Sequence, residues 1–564
     1  MKLSRFNRRL LDAPLKTSNL RQRAQFQRWS SSTTITGGKP SEIPKPETPP
    51  SSKSGKGVSA LSLLTFACSA AALGVAVSMK LSNKPQYGAL NAPKYATIKE
   101  MLKAIDEIRS AISEDTISTD DDDLKMHGFS EWSQINIDTL PIAVAYPRST
   151  EEVSKIAKIC YKYHIPMIGF SGGSSIEGNF AAPYGGISVD FTHMDKVVAF
   201  HEDDLDVVVQ PAVGWMKLNE DIEKSGLFFP VDPSPSAKFG GMVGTNCSGT
   251  NAARYGTMKD WVLNLTVVLA DGTIIKTRNR PRKSAAGYNL NGIFVGAEGT
   301  LGLVTEITLK LAVIPKEFSV AVCTFPTIRD AAATASAVMR AGVPIAALEL
   351  LDDTQMKVVN MGGNTAPKVW KEVPTLFFKF SGSKASVADN IKEVQAISKK
   401  HNAGSFEFAK DEKEQHLLWS ARKTALWSMF ALKPEGTDFW STDVAVPYSR
   451  VAEIIEISKK DLEGKGIFTS IVGHLGDGNF HEAIFYNKSD PVETALVTKA
   501  VHDMIDRALE MEGTCTGEHS IGLFKKGCLL QEVGPDTLLV MKSLKQSLDP
   551  RWIMNPGKIF DIPQ

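Results

Sequence analysis

The sequence predicts an α+β protein of two main parts preceded by a distinct leader. Three observations lead there. From about Pro141, short β-rich runs alternate with amphipathic segments. A loop of glycine and serine directly follows one of these strands, and after Pro315 the amphipathic segments lengthen. A chain of 564 residues is long enough for two or more domains with substantial cores.

The leader comes first. Residues 1–29 carry Lys2, Arg5, Arg8, Arg9, Lys16, Arg21, Arg23 and Arg28 against the single acid Asp12. Arg-rich, Ser-containing and acid-poor is the composition of a mitochondrial transit peptide. With the Ser-, Pro- and Lys-rich linker that follows, it is expected to occupy residues 1–56. Residues 57–79 carry no charge and are flanked by Lys53, Lys56, Lys80 and Lys84. At ~1.5 Å per residue such a run reaches about 34 Å, enough to cross a ~30 Å hydrocarbon core. It is expected to be a single-pass anchor in the inner mitochondrial membrane, with the bulk of the chain in the intermembrane space. The net charge of +1 gives no sign of a nucleic-acid surface. The six cysteines have neither pairs nor regular spacing, so free buried thiols are expected.

Residues 80–138 read as a helical, acidic lead-in with a solvated turn at Asp120 to Asp123. Strands are predicted at 142–147, 167–170, 187–191, 206–210, 262–269 and 303–311, with a helix beginning at Ser149 or Thr150. The second part, 316–520, is predicted to carry helices at 328–341, 384–401 and 448–461 between strands at 318–325, 374–380 and 442–446. The tail, 521–564, reads as short helices and turns.

Two kinds of motif carry chemistry. Ser171-Gly172-Gly173-Ser174-Ser175 presents small residues straight after a strand, which lets backbone N–H groups converge on an anion. It matches neither the dinucleotide fingerprint nor the P-loop. Separately, His474 and His481 bracket a Gly-Asp-Gly turn, and Glu518-His519 follows. Imidazole with carboxylate suits a transition metal better than calcium or magnesium. Taken alone, that stretch suggests a metal-dependent hydrolase.

Four motifs appear together and in order: Gly-Gly-Ser-Ser-Ile-Glu-Gly from Gly172, Gly-Gly-Met-Val-Gly-Thr-Asn from Gly240, Gly-Ala-Glu-Gly-Thr-Leu-Gly from Gly296, and Asn-Pro-Gly-Lys from Asn555. With them the chain resembles the FAD-linked oxidases of the vanillyl-alcohol oxidase fold over roughly 140–564. The resemblance implies a two-subdomain FAD-binding domain of PCMH type at 139–315, an α+β substrate (cap) domain at 316–520, and a final segment, 521–564, returning to the first. It implies that Ser171, Gly172, Gly173, Ser174 and Ser175 bind the FAD pyrophosphate. Gly240, Gly241, Gly244, Thr245 and Ser248 would line the cofactor, with Gly299, Thr300, Leu301 and Asn555 nearby. Members with covalent FAD often have His at the position of Ser174, so a dissociable FAD is expected.

Within the family, the histidine stretch resembles the D-2-hydroxyacid dehydrogenases, most of all a fungal mitochondrial branch. That resemblance implies a divalent metal, zinc or manganese, on His474, His481 and Glu518, with His519 as proton acceptor and Arg422 as the cation for the substrate carboxylate. An alcohol proton is far too weakly acidic for imidazole alone, so a metal on the hydroxyl fits the chemistry. Coordination would occupy the nitrogen that takes the proton, which separates base from ligands. The implied reaction is oxidation of D-lactate to pyruvate by hydride transfer to FAD, with electrons passed to cytochrome c. Members acting on 2-hydroxyglutarate add a hydroxyl and a lysine at positions that are Leu426 and Ser441 here, which favours a monocarboxylate. The alternatives are a D-2-hydroxyglutarate or glycolate dehydrogenase, and a non-redox flavoprotein of the ether-lipid synthase branch.

Overall fold

The computed structural model describes residues 92–131 and 133–564. The expected transit peptide and membrane span lie outside the described residues. Among those described, no helix is long and apolar enough to cross a membrane.

Thr97 opens the helix Ile98–Ala111 through a capping box with Glu100, and the helix buries Met101, Ala104, Ile105 and Ile108. That spacing makes one apolar stripe, which packs with the helix Thr150–Tyr163 in a shared core. Ser149 caps the second helix by accepting from Glu152 N. Both helices cover a four-stranded sheet ordered Ile117–Ser118, Ala143–Ala145, Ile187–Asp190, Met167–Phe170, its last three strands parallel. The chain end joins it: Met167 N donates to Ile553 O and Asn555 N to Met167 O, each at 2.7 Å. A five-stranded antiparallel sheet follows, ordered Val197–His201, Asp206–Val209, Leu303–Lys310, Val262–Val268, Ile274–Lys276.

The largest sheet has eight antiparallel strands. Seven run in the order Phe406–Phe408, Glu317–Thr324, Thr375–Gly382, Ile345–Leu351, Phe468–His474, Asn479–Tyr486 and Asp438–Ser441. Val444–Ala445 pairs beside the last of them on Asn479–Tyr486. One face packs the helices Ile328–Arg340, Lys384–Lys400, Val451–Gly464 and Pro491–Glu510 into the main core, through Leu348, Leu350, Leu376, Phe378 and Ile471. The other face holds the chemistry.

Two local expectations are corrected. Asp120 to Asp123 is no turn: Asp120 caps a helix, Asp121–Met126, by accepting from Asp122 N, and the next three acids sit at its favourable N-terminal end. The tail is not built of short helices alone. It carries a segment, Lys526–Leu548, broken where Gly534 (φ 77°) precedes Pro535.

Candidate functional site

The two histidines meet because of hairpin register. Strands Phe468–His474 and Asn479–Tyr486 pair His474 with Asn479 and Val472 with His481. His474 and His481 are therefore diagonal neighbours on one face. Gly478 makes the turn possible: its φ is +76°, and a Cβ there would strike the Val446 carbonyl.

The same face carries a charge on each of two further strands. Glu349 sits opposite His474, and Lys379 pairs with Ala347, two residues from Glu349. Lys379, Glu349, His474 and His481 thus form a row across four adjacent strands. Nδ1 of His474 donates to Glu349 Oε1 (3.0 Å), and Nδ1 of His481 donates to the Thr442 carbonyl (2.9 Å). Carboxylate and carbonyl oxygens only accept, so the proton of each neutral ring is on Nδ1 and its Nε2 presents a lone pair. Both lone pairs face Glu518 Oε1, His474 at 3.4 Å and His481 at 3.1 Å.

Three acceptors facing one another need a cation among them. Ligand bonds of about 2.0–2.1 Å at tetrahedral angles place neighbouring ligand atoms about 3.3 Å apart, so the donor set fits a zinc-like ion. Without a metal, protons take that role. Burial lowers the pKa of His474, but Glu349 and Glu518 on either side outweigh it and hold the imidazole well above its usual range. Burial would raise Glu518; the two histidines instead hold it well below the usual carboxylate range. A second grouping, Asp443 with His481 and His519, is also close enough for a metal. Its aspartate is already engaged. Asp443 Oδ2 accepts from Thr516 Oγ1 (2.7 Å), His519 N (2.8 Å) and Glu518 N (2.9 Å), and Oδ1 from Asn479 Nδ2 (2.8 Å). Asp443 thereby fixes the loop that delivers Glu518 and His519.

His519 stacks on His481, ring centroids 4.8 Å apart, and its Nδ1 is buried with no hydrogen-bond partner. Burial pushes its pKa down to about 4, which keeps the ring neutral near neutral pH and leaves one ring nitrogen with an open lone pair. Arg422, on the helix Glu412–Lys423, donates from Nε to Glu349 Oε2 at 2.7 Å. Its Nη groups make no hydrogen bond among the described residues, so the bidentate edge of the guanidinium is available.

The glycine-rich loops form the opposite wall. Gly173 has a φ of +59°, and Ser171 Oγ donates to the Pro211 carbonyl (3.0 Å). Gly241 and Gly244, on the helix Phe239–Thr245, face open space where a Cβ would meet nothing within 4 Å. This is a surface a flat ligand can approach. Thr300 and Leu301 are buried in the core beneath, and Asn555 pins the loops by donating from Nδ2 to the Glu298 (2.7 Å) and Asn179 (3.0 Å) carbonyls. Ser248 joins the two walls, since its Oγ donates to Glu518 Oε2 at 2.5 Å. The bond ties the expected cofactor wall to the expected metal ligand.

Sequence reasoning missed Glu349 and Asp443. Glu349 was visible as the lone charge of the apolar run Ile345–Leu351, and a buried charge must have a partner. Leu426, one of the two positions read for a distal carboxylate, is exposed on the helix Ala425–Leu432.

Comparison with known proteins agrees with this architecture. Residues 141–278 match the FAD binding domain model, and 314–559 match the C-terminal domain model of FAD linked oxidases. The mitochondrial D-lactate dehydrogenase (cytochrome) of Kluyveromyces lactis is 46% identical over 485 residues, covering 84% of each chain. That of Arabidopsis thaliana is 45% identical over 462 residues, covering 82% of this chain and 81% of its own. Among solved structures, 4-ethylphenol oxidase from Gulosibacter chungangensis superposes with a TM-score of 0.69 at 19% identity, over 84% of this chain and 99% of its own, a likeness of fold. Two family models matched in order, and relatives this similar over most of their length, place the chain: it belongs to the FAD-linked oxidase family, beside the mitochondrial D-lactate dehydrogenases (cytochrome).

Proposed function

We infer that this chain is an FAD-dependent D-lactate dehydrogenase of mitochondria, oxidising D-lactate to pyruvate and passing the electrons to cytochrome c. The relatives support the activity and the compartment. The observation that carries the mechanism is the convergence of two Nε2 lone pairs on Glu518 Oε1, beside the unpartnered Nδ1 of His519. Our division of labour follows from it.

His474, His481 and Glu518 would hold a divalent metal, zinc or manganese by their chemistry. When bound, that metal polarises the substrate hydroxyl and lowers the cost of removing its proton. Glu349 and the Thr442 carbonyl orient the two imidazoles through Nδ1. His519 Nδ1 takes the hydroxyl proton. Arg422 forks to the substrate carboxylate with its Nη edge, and the Glu349 contact at Nε fixes the plane of the fork. The loops at 171–175, 240–248 and 299–301 would hold FAD without a covalent bond, and that cofactor would supply the acceptor for the C2 hydride. The chemistry of D-lactate is balanced by these two transfers: hydride from carbon, proton from oxygen, pyruvate left behind.

For the leader, we propose that residues 1–56 address the protein to the mitochondrion and 57–79 anchor it in the inner membrane, leaving the flavin site on the cytochrome c side. The composition of those segments supports this reading. We likewise propose a division into an FAD-binding part at 139–315, a cap at 316–520 and a returning segment at 521–564.

Anaerobic mixing tests the function. D-lactate is expected to bleach the flavin bands and L-lactate to leave them. His519→Ala should retain FAD and slow the bleaching by roughly 100- to 10,000-fold, the usual worth of a general base. A clear preference for a dicarboxylate such as D-2-hydroxyglutarate over D-lactate would contradict the assignment.

A further inference from the structure

Lys379 is the fourth member of the row on the catalytic face, and no step above uses it. It lies at the centre of the strand Thr375–Gly382, in the run Leu376-Phe377-Phe378-Lys379-Phe380, whose phenylalanines are all fully buried. Lys379 itself is only partly exposed. Its ammonium rests 4.3 Å from the centroid of the Trp419 ring. Trp419 and Arg422 are one helical turn apart, so the helix Glu412–Lys423 brings both to the same end of the row.

What Lys379 lacks is an acceptor. Among the described residues its Nζ makes no hydrogen bond and no ion pair within 4.0 Å. The carboxylates that act on it electrostatically are Asp232 and Glu349. Both have other partners. Asp232 accepts from Thr250 Oγ1 (2.6 Å) and Asn251 N (2.9 Å), and Glu349 from His474 and Arg422. The ammonium thus keeps three N–H donors free of acceptors among the described residues at the edge of a half-buried site, where an anion could take them. The free Nη edge of Arg422 belongs to the same region, because Arg422 and Lys379 flank Glu349 on one face. Two cations with unused donors around Glu349 describe a site for an anionic group.

We propose that Lys379 is a second cation for the substrate carboxylate, acting with Arg422 as a specificity-determining residue that selects 2-hydroxy acids over neutral alcohols. This rests on the 2-hydroxyacid reading of the site. Arg422 supplies the planar fork, and Lys379 supplies a point charge held in place by the Trp419 ring. Lys379 stands on a different strand from Ser441 and outside the helix that carries Leu426.

The test uses the FAD-loaded enzyme with Lys379→Met, which keeps length and removes charge, and Lys379→Arg, which restores charge. Two readouts are followed: steady-state KM and kcat for D-lactate, and the affinity for oxalate, a carboxylate probe followed by its perturbation of the flavin spectrum. Lys379→Met is expected to raise KM and weaken oxalate by roughly tenfold or more, the worth of a hydrogen bond to a charged group. FAD content and melting temperature should hold, and Lys379→Arg should recover most of the oxalate affinity. Unchanged KM and oxalate affinity would overturn the proposal. So would a lower melting temperature with unchanged oxalate affinity in the FAD-loaded fraction, which would make Lys379 a strut between sheet and loop. If the unaltered enzyme failed to oxidise D-lactate while Lys379→Met still weakened oxalate, the proposal would stand and the assigned activity would fall.

Discussion

The two faces of the eight-stranded sheet are built from alternate residues of the same strands, yet they do opposite work. Along Ile345–Leu351, Leu348 and Leu350 point into the main core while Glu349 points to the site. Along Phe468–His474, Ile471 goes to the core and His474 to Glu518. The core face is mostly apolar, and the polar groups that do lie on it are paired: Thr469 Oγ1 donates to Glu482 Oε1 at 2.6 Å. On the catalytic face Glu349, His474 and His481 are each held by a fixed partner, while Lys379 has no acceptor among the described residues. The difference teaches where precision is stored. A register slip of one residue would exchange the faces, so the packing of the core face holds the site geometry in place.

That separation can be broken from either side. Phe378 is fully buried on the core face, and Phe378→Ala should cost about 3–5 kcal/mol of stability. Thermal unfolding followed by loss of flavin protection would show it, and turnover per bound FAD should stay near that of the unaltered enzyme. Glu349→Gln makes the opposite cut. It removes the charge that Arg422 and His474 share, and metal retained after dialysis should fall by roughly 10- to 100-fold in affinity, as for other outer partners of ligating histidines. Its melting temperature in the metal-free state should change much less than that of Phe378→Ala. A Glu349→Gln protein that unfolds as readily as Phe378→Ala would dissolve the distinction between the faces.

The parts of this arrangement that were legible in the sequence are those with a local cause. The glycine-rich loops need small residues at fixed offsets, and the His474–His481 spacing follows from a short hairpin; both leave a readable signature. Strand Ile345–Leu351 left none, because a fully buried apolar run has no alternation to separate strand from helix. The Asp120 helix was misread for a similar reason: consecutive acids look like a solvated turn unless the first is recognised as a cap. Ser248 is expected to line the cofactor, and nothing local in the sequence shows that its hydroxyl also reaches Glu518, 270 residues away. Glu349 and Lys379 stand out as charges among apolar neighbours, but the Arg422 and His474 that hold Glu349 come from a distant helix and strand. A sequence can announce that a buried charge needs a partner; only the fold names it.

The central claim is that the row of side chains on one sheet face works as a metal-assisted proton-removal site facing a flavin. It is tested most directly by the anaerobic rate at which D-lactate bleaches the flavin, measured before and after verified removal of bound metal with FAD content unchanged. The account predicts a fall of roughly 100-fold or more, because imidazole alone is poorly matched to an alcohol proton, and recovery when zinc or manganese is returned. Bleaching at the full rate from metal-free enzyme would contradict it.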